Sequence, residues 1–395
     1  MKKLTRAVCI TVLISFLSGC YPSEQRTKPS DGESVHTSDG SFSDPSENSY
    51  ANSEQDVETS GSDSQEIHLK IDNLQLDMNV PSNIPNVVTS LKLTLKKWDT
   101  EYMKKFFLEN STITESYEYD CQFYPGEKHY SYDTDQLAVF WEPGKFGFSD
   151  KIALGGEFKY GTVYYEVTDD FAANNEELSA FSRKDAVNRV NDFLEKIGIT
   201  NYGEPKIAPI RAELANEVLS KFKKRGEDNG EPFDYTPWTE EEECYYLRYP
   251  LLYNNMELSV DMVGIPKREW GISGTYIEAV VSKNQIIRVM GNDIYSENTE
   301  KADEISINYN FDQALDKLKN YYSNIVFDSP ITYYDCKLIY FPDDVSDDRM
   351  TVTFMPVWRF NGYYYYYFDE TLPNKKRQQN QYFYADSGYR YIGLE

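Results

Sequence analysis

From residue 67 onward apolar residues recur mostly at every second position, with three- and four-residue steps in only a few windows. The pattern predicts many short strands and a small number of helices. Ile67, Leu69 and Ile71 alternate with polar neighbours, Leu74, Leu76 and Met78 continue the pattern, and Pro81 and Pro85 end this strand reading over 67–80. Leu91, Leu93 and Leu95 predict a second strand, after which Asp99 or Thr100 caps a short helix carrying Tyr102, Met103, Phe106 and Phe107. Between residues 117 and 169, Pro125-Gly126, Pro143-Gly144 and Gly155-Gly156 punctuate further short strands.

The clearest helix opens at Ser182. Ser182 and Asp185 have capping-box spacing, Ala186, Val187, Val190, Phe193, Leu194 and Ile197 form one stripe, and Gly198 stands where a C-terminal cap belongs. A more polar helix over 211–224 is expected to lie outside on a sheet. Strands over 244–252 and 256–263 turn at Asn254-Asn255, and strands over 276–282 and 286–290 turn at Lys283-Asn284. Asn310 and Gln313 repeat the capping signal before a stripe of Phe311, Ala314, Leu315, Leu318 and Tyr322. Strands then follow over 331–341 and 350–360, a further strand over 363–368, and a hairpin turning at Asp386-Ser387-Gly388. The expected class is α+β, with a helix laid on antiparallel sheet twice over. The expected divisions are 65–175, 176–300 and 301–395.

Residues 1–64 have a different texture. Lys2, Lys3 and Arg6 precede an apolar run of 11 residues, Ala7 to Leu17, too short to span a bilayer, as in a secretory signal over 1–19. Residues 21–64 hold 12 Ser and 10 acidic against 2 basic residues, with almost no aliphatic side chains to offset chain entropy. They read as a solvated tether with an rms span of about 35–40 Å. The whole chain carries 65 acidic against 40 basic residues, a net −25, which argues against nucleic acid as a partner. From residue 65 onward 55 acidic face 35 basic residues, so most of the negative charge sits on the folded part.

Leu17-Ser18-Gly19-Cys20 resembles the bacterial lipobox. The resemblance implies cleavage before Cys20, a diacylglycerol on its sulfur, and a protein held by lipid on the extracytoplasmic face of a Gram-positive cell membrane. Met355-Pro356-Val357-Trp358-Arg359-Phe360 and Tyr384-Ala385-Asp386-Ser387-Gly388 resemble the closing strand and hairpin of PepSY-type modules and the related YycI-type extracytoplasmic regulators. Asp386-Ser387-Gly388 departs from the Thr those modules carry before the Gly, and 176–300 lacks the Pro-x-Trp. The chain also resembles uncharacterised lipoproteins of clostridia and other Gram-positive bacteria. These resemblances imply a binding or regulatory module that contacts another envelope protein, with no catalytic residues to carry over.

The chemistry-bearing residues point the same way. Three histidines lie apart, and zinc spacings, the G-x-S-x-G elbow and the phosphate-binding glycine loops are missing from the sequence, so neither an enzyme nor a cofactor is expected. Ser220 and Lys223 match S-x-x-K in a Lys-rich helix without its companion motifs. Glu240–Glu243 read as a helix start. Asp343, Asp344, Asp347 and Asp348 read as a solvated hairpin tip, with calcium binding left open. Cys121, Cys244 and Cys336 read as buried thiols, with one bridge among them left open. The run Tyr363 to Phe368 sends alternate rings to opposite faces. One face must pack under a helix; the other is either plain strand, whose rings pack while their hydroxyls reach water, or an exposed aromatic surface with Tyr364, Tyr366 and Phe368, together with Trp358, as the binding set. The alternative function is therefore capture of a peptide or carbohydrate on exposed Tyr and Trp.

Overall fold

In this computed structural model the described residues lie within 66–391. Excluded are 72, 82–83, 122, 151–175, 229, 231–234, 262, 266–267, 273, 297–302, 324, 326–328 and 367–374. The signal, Cys20, the tether and Gly155-Gly156 therefore lie outside them. All described residues belong to the unit Thr59–Glu395.

In chain order the first elements are β1 (Glu66–Ile71), β2 (Leu74–Asn79), β3 (Val87–Thr89), β4 (Leu91–Thr94) and α1 (Thr100–Leu108). A meander follows: β5 (Ile113–Asp120), β6 (Lys128–Thr134), β7 (Leu137–Glu142) and β8 (Lys145–Asp150). Next come α2 (Arg183–Lys196), β9 (Lys206–Ile210), α3 (Ala212–Asp228), β10 (Cys244–Pro250), β11 (Leu252–Tyr253) and β12 (Met256–Glu257). Then come β13 (Val263–Ile265), β14 (Arg268–Ile272), β15 (Tyr276–Ser282), β16 (Ile286–Asn292) and β17 (Glu304–Ser306). The last are α4 (Phe311–Ser323), β18 (Ile331–Val345), β19 (Thr351–Tyr366) and β20 (Lys375–Tyr384).

The helices begin and end where their sequence signals stand. Ser182 accepts the Asp185 N–H at 3.1 Å, and Asn310 and Gln313 exchange backbone-to-side-chain bonds of 3.0 Å in a reciprocal box. α2 closes with Gly198 at φ +71, its N–H on Glu195 and the Ile199 N–H on Leu194, which satisfies two terminal carbonyls.

The class is α+β. Eight strands pair in the order β5-β6-β7-β8-β16-β15-β10-β9, and six more form a second sheet, β1-β2-β18-β19-β20 with β4 against the other end of β19. Period-2 alternation lets one sheet carry two helices. Tyr245, Leu247, Ala279, Val281 and Val289 face the α2 side, while Cys244, Tyr246, Val280 and Ile287 face Ala215, Val218 and Leu219 of α3. In the six-stranded sheet Phe311, Ala314, Leu315 and Leu318 of α4 cover Leu74, Leu76, Ile331, Trp358 and Phe360. Each sheet thus holds a helix and three later strands paired in chain order, α2 with β10-β15-β16 and α4 with β18-β19-β20.

Three expectations change. Residues 67–80 are not one strand but a hairpin: the apolar phase shifts from odd to even numbers at Asn73, so that Ile67 faces Met78, Leu69 faces Leu76 and Ile71 faces Leu74. That hairpin runs parallel beside β18, so the strands of 65–175 are divided between the two large sheets. Strands 244–252 and 256–263 pair only beside their turn, Leu252 with Glu257 and Tyr253 with Met256. β10 pairs with β15 and β9, and only the two-residue β11 and β12 flank the turn where Asn254 and Asn255 take φ of 48 and 62.

Candidate binding surface

β19 runs without a break from Thr351 to Tyr366, so residues 350–360 and the tyrosine run share one strand and one phase. Trp358, Phe360 and Tyr364 point to α4, whereas Arg359, Asn361, Tyr363 and Tyr365 point the other way. The expected binding set changes accordingly. Trp358 is fully buried, its Nε1 donating to the Tyr309 carbonyl at 2.8 Å, and Tyr364 packs against the α4 core. Phe368 and the Tyr366 side chain lie outside the described residues. The exposed rings are Tyr365 and, from β18, Tyr334, at 44% and 46% exposure. Tyr363 sits between them, its ring centroid 6.0 Å from Tyr334 and 5.7 Å from Tyr365. A register shift between Tyr333 and Asp335 interrupts the regular pairing beside Tyr334, while Tyr333 packs in the α4 core with its hydroxyl 2.6 Å from that of Tyr322. Gly362 is required there: a Cβ would stand 2.7 Å from the Tyr333 ring.

The three rings adjoin a polar network built around the buried Arg359. Arg359, 4% exposed, reaches Glu257 at 3.4 Å and Asp261 at 3.8 Å, and Lys337 reaches Glu257 at 2.9 Å. Asp261 also accepts from Asn380 at 2.9 Å and from the Tyr382 hydroxyl at 2.5 Å, and Asn361 donates to Asp335 at 2.8 Å. Burial opposes ionisation of Glu257, but Lys337, Arg359 and Lys206 outweigh it and hold the carboxyl below its ordinary range. Lys206 is pushed down by burial and then by its cationic neighbours Arg359 and Lys337. The Tyr334 hydroxyl is pushed up by burial and then by Asp335. The residues from Glu257 to Asp261 are fixed along β18 by the Ser259 N–H on Tyr340, 2.8 Å. The result is a firm aromatic surface with a carboxylate–amide pair beside it, suited to packing against flat apolar groups and offering hydrogen bonds at its margin.

The remaining reactive side chains are tied into the structure. Glu142 joins His129 at 3.0 Å, Lys145 at 3.5 Å and the Cys121 thiol at 3.6 Å. Burial and then Glu142 push that thiol up to about 11, so it is not a thiolate at neutral pH. Cys244 and Cys336 are raised further by complete burial, and all three cysteines are free. The Ser220 hydroxyl donates to the Glu217 carbonyl. Glu243 accepts the Ala212 N–H at 3.1 Å, which caps α3, while Glu240–Glu242 form a 3-10 turn. In the acidic loop, Asp343 receives the Tyr384 hydroxyl at 2.6 Å and Asp348 is bound by Ser346 and the Met350 N–H. Among the described residues no three His, Cys, Asp or Glu side chains are grouped to hold a metal ion.

Tyr334, the Glu257–Arg359–Asp261 network and the outward phase of Tyr363 and Tyr365 were not anticipated from the sequence. The phase is set by Trp358 and Phe360, which share one unbroken strand with the tyrosine run through Gly362. The network carries no such local signal, because its members come from residues 206, 257, 261, 337 and 359.

No family model and no curated protein matches the chain. Among solved structures it is similar to an uncharacterized protein from Eubacterium rectale, with a TM-score of 0.60 at 14% identity over 82% of this chain and 92% of that one. At that identity the likeness is one of fold.

Proposed function

We propose that this chain is a lipid-anchored binding protein of the extracytoplasmic membrane face, without catalytic activity, that contacts another envelope protein through Tyr334, Tyr363 and Tyr365. The carrying observation is that chain of three rings, exposed at both ends and adjoining the ion network of the buried Arg359. Tyrosine suits such contacts because it adds a large rigid area with only two side-chain torsions to restrain. The buried, protonated thiols support a non-catalytic role. The helix-plus-three-strand arrangement in each sheet supports reading 176–300 and 301–395 as PepSY-like modules, with the 44-residue tether joining them to the lipid on Cys20. Among the described residues no helix is long and apolar enough to cross a membrane, and in this reading the lipid is the anchor.

The test is fractionation of cells carrying the wild-type chain or its variants. Cys20→Ala is expected to lose palmitate label and membrane association. Tyr363→Ser with Tyr365→Ser is expected to keep the membrane association and lose the co-purified partner. Label that survives Cys20→Ala, or a partner retained by the tyrosine pair, overturns the corresponding half. A second reading, capture of a peptide or carbohydrate on the same rings, is favoured by the Asp335–Asn361 pair beside them, whose polar atoms suit ligand hydroxyls or amides. Array binding abolished by the tyrosine pair, with no protein partner, would select it.

A further inference from the structure

Among the described residues β5 is the outermost strand of the eight-stranded sheet, eight residues long, and every one of its residues is exposed. Ile113, Tyr117 and Tyr119 are exposed at 48%, 43% and 45%. Edges of this length are ordinarily protected by proline, by charged side chains, lysine above all, or by a bulge in mid-strand. β5 contains neither proline nor lysine, and its register irregularity lies at its start, between Ile113 and Glu115, leaving Ser116 to Asp120 in regular pairing with β6.

The edge has two distinct faces. Glu115, Tyr117 and Tyr119 lie opposite Asp133, Ser131 and His129, whereas Ser116, Glu118 and Asp120 lie opposite Tyr132, Tyr130 and Lys128. Tyr119 continues an aromatic stair out from the sheet: its ring stacks on His129 at 4.5 Å and 16°, and His129 on Phe140 at 5.8 Å and 9°. On the other face Lys128 stands 2.9 Å from Asp120 and 3.9 Å from Glu118, one cation against two carboxylates.

We propose that β5 accepts an extended, lysine- or arginine-bearing segment of a partner protein by strand addition, distinct from the tyrosine surface on the six-stranded sheet. Backbone hydrogen bonds would supply affinity, with alternate side chains sorted by face. Apolar or aromatic groups lie over Tyr117 and Tyr119, and cations lie against Glu118 and Asp120. The edge disfavours a second copy of this chain. Edge-to-edge pairing would set three carboxylates per strand against three more on a chain of net charge −25.

The test uses the purified full-length chain in detergent and a blocked peptide of alternating lysine and valine. Binding is expected to slow amide exchange within 113–120. N-methylation on one alternate set of peptide residues should weaken it about tenfold or more, and on the other set less than about twofold, because only one edge of the added strand pairs with β5. Glu118→Gln with Asp120→Gln should weaken binding about tenfold and flatten its salt dependence. The Tyr363→Ser, Tyr365→Ser chain should bind as wild type, which separates failure of this proposal from failure of the tyrosine surface. Absence of binding at millimolar peptide, equal affinity of both methylated peptides, or protection elsewhere overturns strand addition. Protection of 113–120 without peptide, rising with protein concentration, reassigns the edge to a second copy.

Discussion

Glu278 in the eight-stranded sheet and Glu257 against the six-stranded sheet are both carboxyl groups largely shut off from water, yet they are driven in opposite directions. Glu278 receives the Tyr246 hydroxyl at 2.6 Å, with the Arg248 Nε at 3.8 Å, and burial pushes it up to about 7 because the attraction of Arg288 is too weak to compensate. Glu257 suffers the same penalty but lies among Lys337, Arg359 and Lys206, which together hold it ionised. Burial alone thus does not determine a carboxyl's charge; the cations around it do. The two regions also differ in what this achieves. Glu278 adjoins the sheet face covered by α3, whereas the ionised network of Glu257 and Arg359 adjoins the exposed rings.

The largest expected effects come from two neighbouring residues on opposite faces of β19. Trp358→Ala should destabilise by about 3–5 kcal/mol through the cavity it leaves under α4. Arg359→Met should cost about 3–5 kcal/mol, since it strips a buried cation from two half-buried carboxylates. Urea denaturation of both variants checks this; a cost under about 1 kcal/mol for Arg359→Met would show that the network does not depend on that cation.

Next in size is the pH response. Because the Glu278 carboxyl is raised in the folded state, its stabilising protonated form is fully present below the unfolded value of about 4.3 and is lost as pH rises toward about 7. Glu278→Gln should remove that decline and leave the protein more stable at pH 8, by at most roughly 4 kcal/mol. Glu257 behaves oppositely: its contribution is present above the unfolded value and fades as pH falls through its lowered folded value. Melting curves from pH 3 to 8 for wild type and Glu278→Gln separate the two.

Smaller is Gly388→Ala, expected to cost about 1–3 kcal/mol by thermal melting. Gly388 has φ +67, and a Cβ there would run into the Tyr309 ring. Least is Tyr365→Ser, which should change stability by under about 0.5 kcal/mol while removing binding.

Much of the fold was legible because its signals are local. The α2 and α4 caps, the glycine and asparagine turns, and the hairpin at 283–284 each lie within a few residues of the elements they delimit. Strand partnership was less legible, since it depends on contacts distant in sequence: Leu74 lies against Ile331, and Leu91 against Phe354. The binding surface failed in phase rather than in place. The tyrosine run stood out, but ending the strand at Phe360 separated it from Trp358 and Phe360, whose burial turns Tyr364 inward and Tyr363 and Tyr365 outward. Glu257 and Asp261 carried no local signal, because a carboxylate beside a turn looks the same whether it meets water or a buried guanidinium.

The most direct measurement is site-specific photocross-linking in intact cells, with the photoreactive residue placed at 365 in one chain and at 364 in another. A cross-link to an envelope protein from position 365 and none from 364 is expected. Cross-linking from 364 in a folded chain, or from neither position, would contradict the outward tyrosine face as the contact surface.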